Sequence, residues 1–241
     1  WTIGGSPEKL NAIRADQIVF GYSHTPLEDV KVQLEVFYKD YSYYPARVYR
    51  PQAVLAPTGY DDASEDIPFG LEPLLSVGTG NVRGAELFIQ KKLSEIPIYG
   101  LLSLSYSESL FKSIDEVERP GAFDSRWIFN IALGWRLDNN WEISSKWRAA
   151  SGVPTTPYLS NGQKVFTKYN SGERLPFFHS LDLRVERRWN FEAYGLIFYI
   201  DIQNLYGRKN VSGVRWDYRE MKPIYQESIG VLPSIGISFD F

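Results

Sequence analysis

Apolar and polar residues alternate with a period of two along much of the chain. Within residues 30–38 every second residue is Val, Leu or Tyr, and the positions between them carry mainly Lys, Gln and Glu. The alternation recurs in residues 127–135 and 181–185. A period of two places the apolar side chains on one face of a strand and the polar side chains on the other. The pattern therefore predicts β-strands with one apolar and one polar face.

Nine such strands are predicted, and most of them have ten residues or more. They span residues 14–24, 30–41, 81–92, 98–109, 127–137, 141–151, 179–189, 194–205 and 228–241. Strands of globular proteins usually have about five or six residues, whereas a tilted strand that crosses a membrane needs about 9–11. Strand length therefore favours an all-β, antiparallel transmembrane β-barrel over a soluble β-sandwich.

The connections between these strands alternate in length. Short turns are expected at residues 25–29, 94–96, 138–140 and 190–193, and long loops at 42–80, 110–125, 152–178 and 206–227. Outer-membrane barrels combine short periplasmic turns with long extracellular loops. The chain is therefore expected in the bacterial outer membrane, with its first strand running from the cell surface towards the periplasm. Nine strands, the first of which starts at the cell surface, are expected to be only part of a closed barrel.

Aromatic residues make up 15% of the chain, although 23% of its residues are charged. Trp127 and Trp135 share the apolar face of one predicted strand, about 20 Å apart along the membrane normal. Across the next short turn, Trp141 and Trp147 repeat this arrangement. Barrels carry aromatic girdles at both membrane interfaces, on either side of an apolar band of about 25 Å. These four Trp residues are therefore predicted to be girdle residues.

Composition excludes several other classes of protein. The apolar runs are far shorter than the roughly 18–20 residues that a membrane-spanning helix needs. The chain has no Cys, which excludes disulfide scaffolds and thiolate metal sites, and its net charge of -3 does not suggest a nucleic-acid partner. Neither His24 nor His179 lies in a metal-ligand motif. No catalytic residue, metal site or cofactor is predicted, and the acidic run at residues 61–66 is interpreted as a solvated loop.

One segment of the longest loop has the composition of a ligand-binding surface. Aromatic rings and guanidinium groups interleave there and could stack on a sugar, a catechol or a planar chelate. Packing of the loop against itself is the alternative interpretation. The candidate ligand-binding residues are Tyr43, Tyr44, Arg47, Tyr49 and Arg50.

Several segments resemble known outer-membrane proteins. The final ten residues, LPSIGISFDF, resemble the C-terminal signal that the barrel assembly machinery recognises, through Ser234, Gly236, Phe239 and Phe241. Five further segments are similar, in order and spacing, to strands of TonB-dependent outer-membrane receptors. They are VQLEVFYKDY (32–41), VRGAELFIQKKL (82–93), SGVPTTPY (151–158), NSGERLPFFHSLDLRVERRW (170–189) and FYIDIQNLYGRKN (198–210).

The resemblance implies a fold, a function and partners. Receptors of this family are 22-stranded barrels with an N-terminal plug and a TonB box, and they import iron chelates, cobalamin or glycans. Residues 1–241 are therefore expected to be the C-terminal part of such a barrel, without the plug and the earlier strands. The implied partners are those strands and the plug, TonB acting through the plug, outer-membrane lipid and the barrel assembly machinery.

Other functions remain open from the sequence. The chain could belong to a plugless porin-like or adhesin-type barrel, or be a partly built barrel held by the assembly machinery. An outer-membrane enzyme or a soluble β-rich binding module are more distant alternatives. A plug domain upstream would distinguish a receptor from a porin, which would show only further alternating strands.

Overall fold

A single antiparallel sheet accounts for most of the chain. The computed structural model describes residues 9–55, 73–192 and 194–240. Nine long strands follow one another in the order β1-β2-β3-β4-β6-β7-β8-β9-β12, and the short β5 pairs with β4. The strands are β1 Arg14–Leu27, β2 Val30–Arg47, β3 Leu74–Lys91, β4 Ile98–Lys112, β5 Glu118–Pro120, β6 Trp127–Arg136, β7 Trp141–Ala150, β8 Phe178–Asn190, β9 Gly195–Gln203, β10 Val211–Asp217, β11 Lys222–Glu227 and β12 Leu232–Asp240. No helix among these residues is both long enough and apolar enough to cross a membrane.

All nine predicted strands are present, but β2 and β3 extend well into the predicted loop at residues 42–80. β2 continues to Arg47 and β3 begins at Leu74. Gly78 allows this extension, because a Cβ atom at that position would lie 2.6 Å from the carbonyl oxygen of Tyr44 on β2. The strand predicted from residue 228 begins only at Leu232.

The segment predicted as a loop at residues 206–227 contains the hairpin β10–β11. This hairpin forms its own two-stranded sheet. Its alternation is masked in the sequence, because the register shifts between Val211 and Gly213 and Pro223 lies in β11. In the turn, Asp217 accepts hydrogen bonds from the backbone N–H groups of Glu220 and Arg219, which hold the pKa of its carboxyl below the ordinary value.

Cross-strand register sorts the side chains into two faces. Leu102, Ile131, Trp147 and Leu181 lie opposite one another on β4, β6, β7 and β8. The adjacent row, one residue further along β6, contains Ala132, Lys146 and Asp182. Since successive side chains point to opposite faces of a sheet, the first row is apolar and faces lipid, and the second is polar and faces the barrel lumen.

Charged side chains on the lumen face pair across strands. Arg136 on β6 contacts Glu142 on β7 at 3.1 Å, and Arg148 on β7 contacts Asp182 on β8 at 3.0 Å. The Arg184–Glu186 pair instead forms along one strand, at 2.9 Å. Such pairs neutralise charge on the lumen face and fix the register of neighbouring strands.

The sheet is open at both edges within the described residues. β1 pairs only with β2, and β12 pairs only with β9. Apolar side chains on these edge strands are largely exposed: 76% for Ile18 and 70% for Ile235. Unpaired backbone groups are costly in hydrocarbon. Each edge therefore requires a further strand when this sheet lies in a membrane.

One carboxylate connects two turns at the periplasmic end. Asp29, between β1 and β2, accepts hydrogen bonds from Lys91 Nζ at 2.5 Å and from Ser94 Oγ at 2.7 Å. These hydrogen bonds, first from Lys91 and then from Ser94, lower the pKa of Asp29 below its ordinary value. The ionised form of Asp29 is therefore the one that the folded state favours.

We expect Asp29→Asn to lower the melting temperature slightly at neutral pH and to have no effect in strong acid. Because the folded-state pKa is lowered, this stabilisation is present above the unfolded-state pKa of about 3.9 and is lost as the pH falls through the folded-state value. Thermal unfolding of both proteins across this range, followed by circular dichroism, measures the difference. Glu28→Gln removes the same charge from the neighbouring residue and serves as the control. A difference that persists in strong acid would contradict the expectation.

Candidate functional site

Aromatic residues cluster on the lumen face at the extracellular end of the sheet. The ring centroids of Tyr44 and Phe111 are 5.0 Å apart, and Tyr41 lies 6.1 Å from each of them. Gly80 accommodates this cluster, because a Cβ atom there would lie 2.3 Å from the Phe111 ring. The long extensions of β2 and β3 therefore carry an aromatic surface beyond the membrane-spanning region.

A cavity of about 180 Å³ opens beside these rings. Apolar side chains provide most of its wall, and a few polar groups of Ser113, Arg119 and Asn170 border it. Pockets for whole drug-sized ligands have volumes of about 300–1,000 Å³, so this cavity suits one ring or side group of a larger ligand. Its aromatic lining consists of Tyr44, Phe111, Phe123 and Tyr169.

Hydrogen bonds between loops hold the wall of this cavity in place. Asn170, in the β7–β8 loop, donates from Nδ2 to the carbonyl oxygen of Pro120 at 3.0 Å. In the β4–β6 loop, Asp115 pairs with Arg119 at 2.7 Å. Burial alone would raise the pKa of Asp115, but hydrogen bonds from Arg119 and from the Val117 N–H outweigh it and hold that pKa below its ordinary value.

A buried ion pair also joins these two loops. The carboxylate of Asp124 accepts a hydrogen bond from Arg174 Nη2 at 2.5 Å and one from the backbone N–H of Ser109 at 2.8 Å. Arg174 Nη1 also donates to the carbonyl oxygens of Asp124 and Gly152. The Asp124 residue is only 3% exposed. The β7–β8 loop is thus fixed to the β4–β6 loop by charge-assisted hydrogen bonds.

The five candidate ligand-binding residues occupy different environments. Tyr44 and Arg47 are buried within the loop cluster, whereas Tyr43 and Tyr49 are exposed. The Arg50 guanidinium lies over the Phe166 ring of the β7–β8 loop at 4.1 Å. Of the five, Tyr44 lines the 180 Å³ cavity. Tyr44, Arg47 and Arg50 thus contribute to loop packing as well as to any binding surface.

A second, more open cavity of about 750 Å³ separates the β7–β8 loop from the β10–β11 hairpin. Tyr158, which borders it, lies 5.6 Å from Trp216 between ring centroids. Sequence reasoning did not identify Phe111, Tyr158 or Trp216 as site residues. The aromatic composition of their segments was a usable signal, but the contacts among them depend on how the loops fold over one another.

Candidate metal ligands are not brought together in the part of the chain that the structure describes. Among those residues, no three His, Asp or Glu side chains are grouped so that they could hold a metal ion. The two histidines have aromatic neighbours: His24 stacks on Tyr22, and His179 Nδ1 lies 2.7 Å from the Tyr206 hydroxyl. The acidic run at residues 61–66 lies outside the described residues.

Comparison with known proteins decides the family. The family model described as TonB dependent receptor-like, beta-barrel matches residues 2–205. This chain belongs to that family. It therefore forms part of the β-barrel of an outer-membrane protein of this family. No curated protein gives a significant match to the chain.

Solved structures of TonB-dependent receptors share the fold. The ferric-catecholate import receptor Fiu from E. coli K12 superposes with a TM-score of 0.65 at 10% identity, over 99% of this chain and 30% of its own. The FrpB iron transporter from Neisseria meningitidis superposes with a TM-score of 0.60 at 16% identity, over 95% of this chain and 31% of its own. The outer-membrane transporter YddB from Escherichia coli superposes with a TM-score of 0.65 at 11% identity, over 96% of this chain and 33% of its own. The chain spans about a third of the length of these receptors.

The four predicted girdle Trp residues all lie on the lipid face of the receptor barrel. Trp127 begins β6 at its extracellular end, and Trp135 lies one residue before its periplasmic end. Trp141 begins β7 on the periplasmic side. Trp147 lies opposite Ile131, halfway along β6, and is therefore deeper in the apolar band than Trp127.

The residues of the proposed assembly signal lie on both faces of β12. Ser234 and Gly236 share the lumen face, and Phe239 lies on the lipid face opposite Leu196. Phe241 is outside the described residues. Gly236 also has a packing role, because a Cβ atom there would lie 2.2 Å from Cζ of Tyr199, its cross-strand partner. The Arg184 guanidinium in turn lies over the Tyr199 ring, 3.9 Å from the ring centroid.

We expect Gly236→Ala to reduce the yield of folded receptor, because the added methyl group displaces Tyr199 from its position between Gly236 and Arg184. Overpacking of this kind typically costs about 1–3 kcal/mol. Heat-modifiable mobility of the full receptor in outer-membrane extracts measures the folded fraction. The double variant Gly236→Ala/Tyr199→Ser removes the clash and should restore folding. If the double variant assembles as poorly as Gly236→Ala, recognition of the signal rather than packing limits assembly.

Proposed function

We propose that residues 1–241 form the C-terminal part of a receptor barrel that captures a scarce nutrient at the cell surface and imports it with energy from TonB. The observation that carries the proposal is the aromatic cavity among the extracellular loops, which opens on the lumen face. A ligand bound there would already lie at the entrance to the barrel. Binding pockets typically combine such an apolar lining with a few polar groups that orient the ligand.

The proposed ligand class is an iron chelate. The named functions of Fiu and FrpB concern ferric-catecholate import and iron transport, which favours this class for a receptor of the same family. The aromatic rings around the cavity suit a planar chelating group, which can stack on Tyr44 or Phe111. Cobalamin and glycans are the alternative ligand classes. The growth assay described below compares all three classes as the limiting nutrient.

The proposed partners follow from the open edges of the sheet. β1 and β12 each require a neighbouring strand, which we assign to the remaining strands of the same barrel. A plug would then occupy the lumen and connect the ligand site to TonB. The barrel assembly machinery would recognise β12 before the barrel closes.

Uptake in cells that carry the whole receptor tests this function. A strain that lacks the receptor is complemented with wild type, Phe111→Ala or Tyr218→Ala, and growth on iron chelates, cobalamin or glycans as the limiting nutrient is compared. Phe111 lines the cavity, whereas Tyr218 is an exposed ring in the β10–β11 turn. We expect Phe111→Ala to lower uptake about tenfold, as for a binding hot spot, and Tyr218→Ala to match wild type. Uptake that continues in a strain without TonB would overturn the proposal.

A further inference from the structure

A guanidinium group lies between two indole rings near the periplasmic end of β8. The Arg187 Cζ atom is 5.2 Å from the ring centroid of Trp141 and 4.8 Å from that of Trp189. Trp141 is the cross-strand partner of Arg187, and Trp189 follows it by two residues on the same strand. Both rings therefore lie on the same face of the sheet as Arg187. We refer to these three residues as the Trp–Arg–Trp cluster.

This cluster faces lipid at the level of the membrane interface. Ile143 and Val185 form the next cross-strand pair on the same face, which continues into the apolar row of Trp147 and Leu181. Trp141 is the first residue of β7 after a short periplasmic turn. Indole rings favour the headgroup region, where an apolar ring and a polar N–H can both be accommodated.

Arg187 has no carboxylate partner among the residues that the structure describes. Throughout residues 9–55, 73–192 and 194–240, no carboxylate forms an ion pair with Arg187 and no acceptor hydrogen-bonds its guanidinium. The lumen-facing arginines differ, since Arg136, Arg148 and Arg184 each have a carboxylate within 3.1 Å. Arg187 is exposed, so its N–H donors are open to a group from the membrane.

We propose that the Trp–Arg–Trp cluster binds the phosphate of a glycerophospholipid in the periplasmic leaflet of the outer membrane. A guanidinium group offers paired N–H donors that match two phosphate oxygens. The indole rings hold the guanidinium at headgroup depth, and the apolar row beyond Ile143 and Val185 contacts the acyl chains. An anionic headgroup would neutralise the charge of Arg187, which has no carboxylate partner among the described residues.

Native mass spectrometry of the full receptor in detergent tests the site. The receptor is titrated with dioleoyl phosphatidylglycerol and with dioleoylglycerol, which has the same acyl chains but no phosphate. We expect Arg187→Gln to weaken phosphatidylglycerol binding about tenfold and to leave dioleoylglycerol unaffected. Arg187→Lys keeps the charge but not the paired donors, so an intermediate loss is expected.

Arg188→Gln is the matched control, because Arg188 is the next residue of β8 and belongs to the opposite, lumen face. Phosphatidylglycerol binding by this variant should equal that of wild type. Trp189→Leu keeps the charge and removes one ring, so it provides a second test if Arg187→Gln does not fold. Equal binding by wild type and Arg187→Gln would overturn the proposal, as would an equal loss in Arg188→Gln. Binding of inorganic phosphate as tight as that of phosphatidylglycerol would also overturn it, because the acyl chains would then add nothing to the affinity.

Discussion

Ile131→Lys should sharply reduce the amount of folded receptor in the outer membrane, whereas Ala132→Lys should leave it nearly unchanged. Ile131 lies midway between Trp127 and Trp135 on β6, in the apolar row opposite Leu102 and Trp147. A lysine in this position places an ammonium group near the bilayer midplane. The expected destabilisation is about 2–4 kcal/mol, which corresponds to a 30- to 1,000-fold shift in the folding equilibrium.

Ala132 is the control for the same substitution one residue away. It faces the lumen and borders a cavity of about 870 Å³, so an added ammonium group has space there, and water in the lumen screens its repulsion from Lys146, the cross-strand partner of Ala132. Urea titration of both variants in phospholipid vesicles, followed by Trp fluorescence, gives the two free energies of folding. If Ala132→Lys is destabilised as strongly as Ile131→Lys, the assignment of the two faces is wrong.

The sheet could be predicted from the sequence because its determinant is local. A strand between lipid and a wet lumen must alternate along its whole length, so segments such as residues 127–135 show the period directly. The family resemblance led to the same architecture. The ends of the strands were harder, because beyond the membrane no lipid enforces the alternation. Residues 42–47 and 74–80 were therefore predicted to be loop. They form strand because Gly78 on β3 lets the two strands approach each other closely at Tyr44 on β2.

The candidate site could be predicted only in part, because its residues come from segments far apart in the chain. The ring-rich segment at residues 43–50 was visible, but its burial depends on Phe111 and on the loops that cover it. Pairs such as Tyr199 with Gly236 become apparent only when strand register is known. The same holds for Arg187, whose lipid-facing position follows from its pairing with Trp141.

The Asp124 carboxylate provides a charged contact between the two loops, and Asp124→Ala should loosen the β7–β8 loop where it meets the β4–β6 loop. The substitution leaves Arg174 without its carboxylate partner and the Ser109 N–H without an acceptor. Removing one member of a buried pair costs about 3–5 kcal/mol. Because the Arg174 side chain is 30% exposed, water compensates part of this loss, and we expect a value near the lower limit of about 3 kcal/mol.

Hydrogen exchange of the full receptor, followed by mass spectrometry, measures this local opening. In Asp124→Ala, peptides from residues 152–177 should exchange about 100-fold faster, since about 3 kcal/mol corresponds to roughly two factors of ten. Peptides from β6 and β7 should keep their protection, because membrane-spanning strands do not depend on the loop. Glu173→Ala, an exposed charge in the same loop, is the control and should exchange like wild type. Equal exchange in Asp124→Ala and wild type would mean that the contacts left in the variant, which include the Asn170–Pro120 hydrogen bond and the bond from Arg174 to the backbone carbonyl oxygen of residue 124, are enough to hold the loops together.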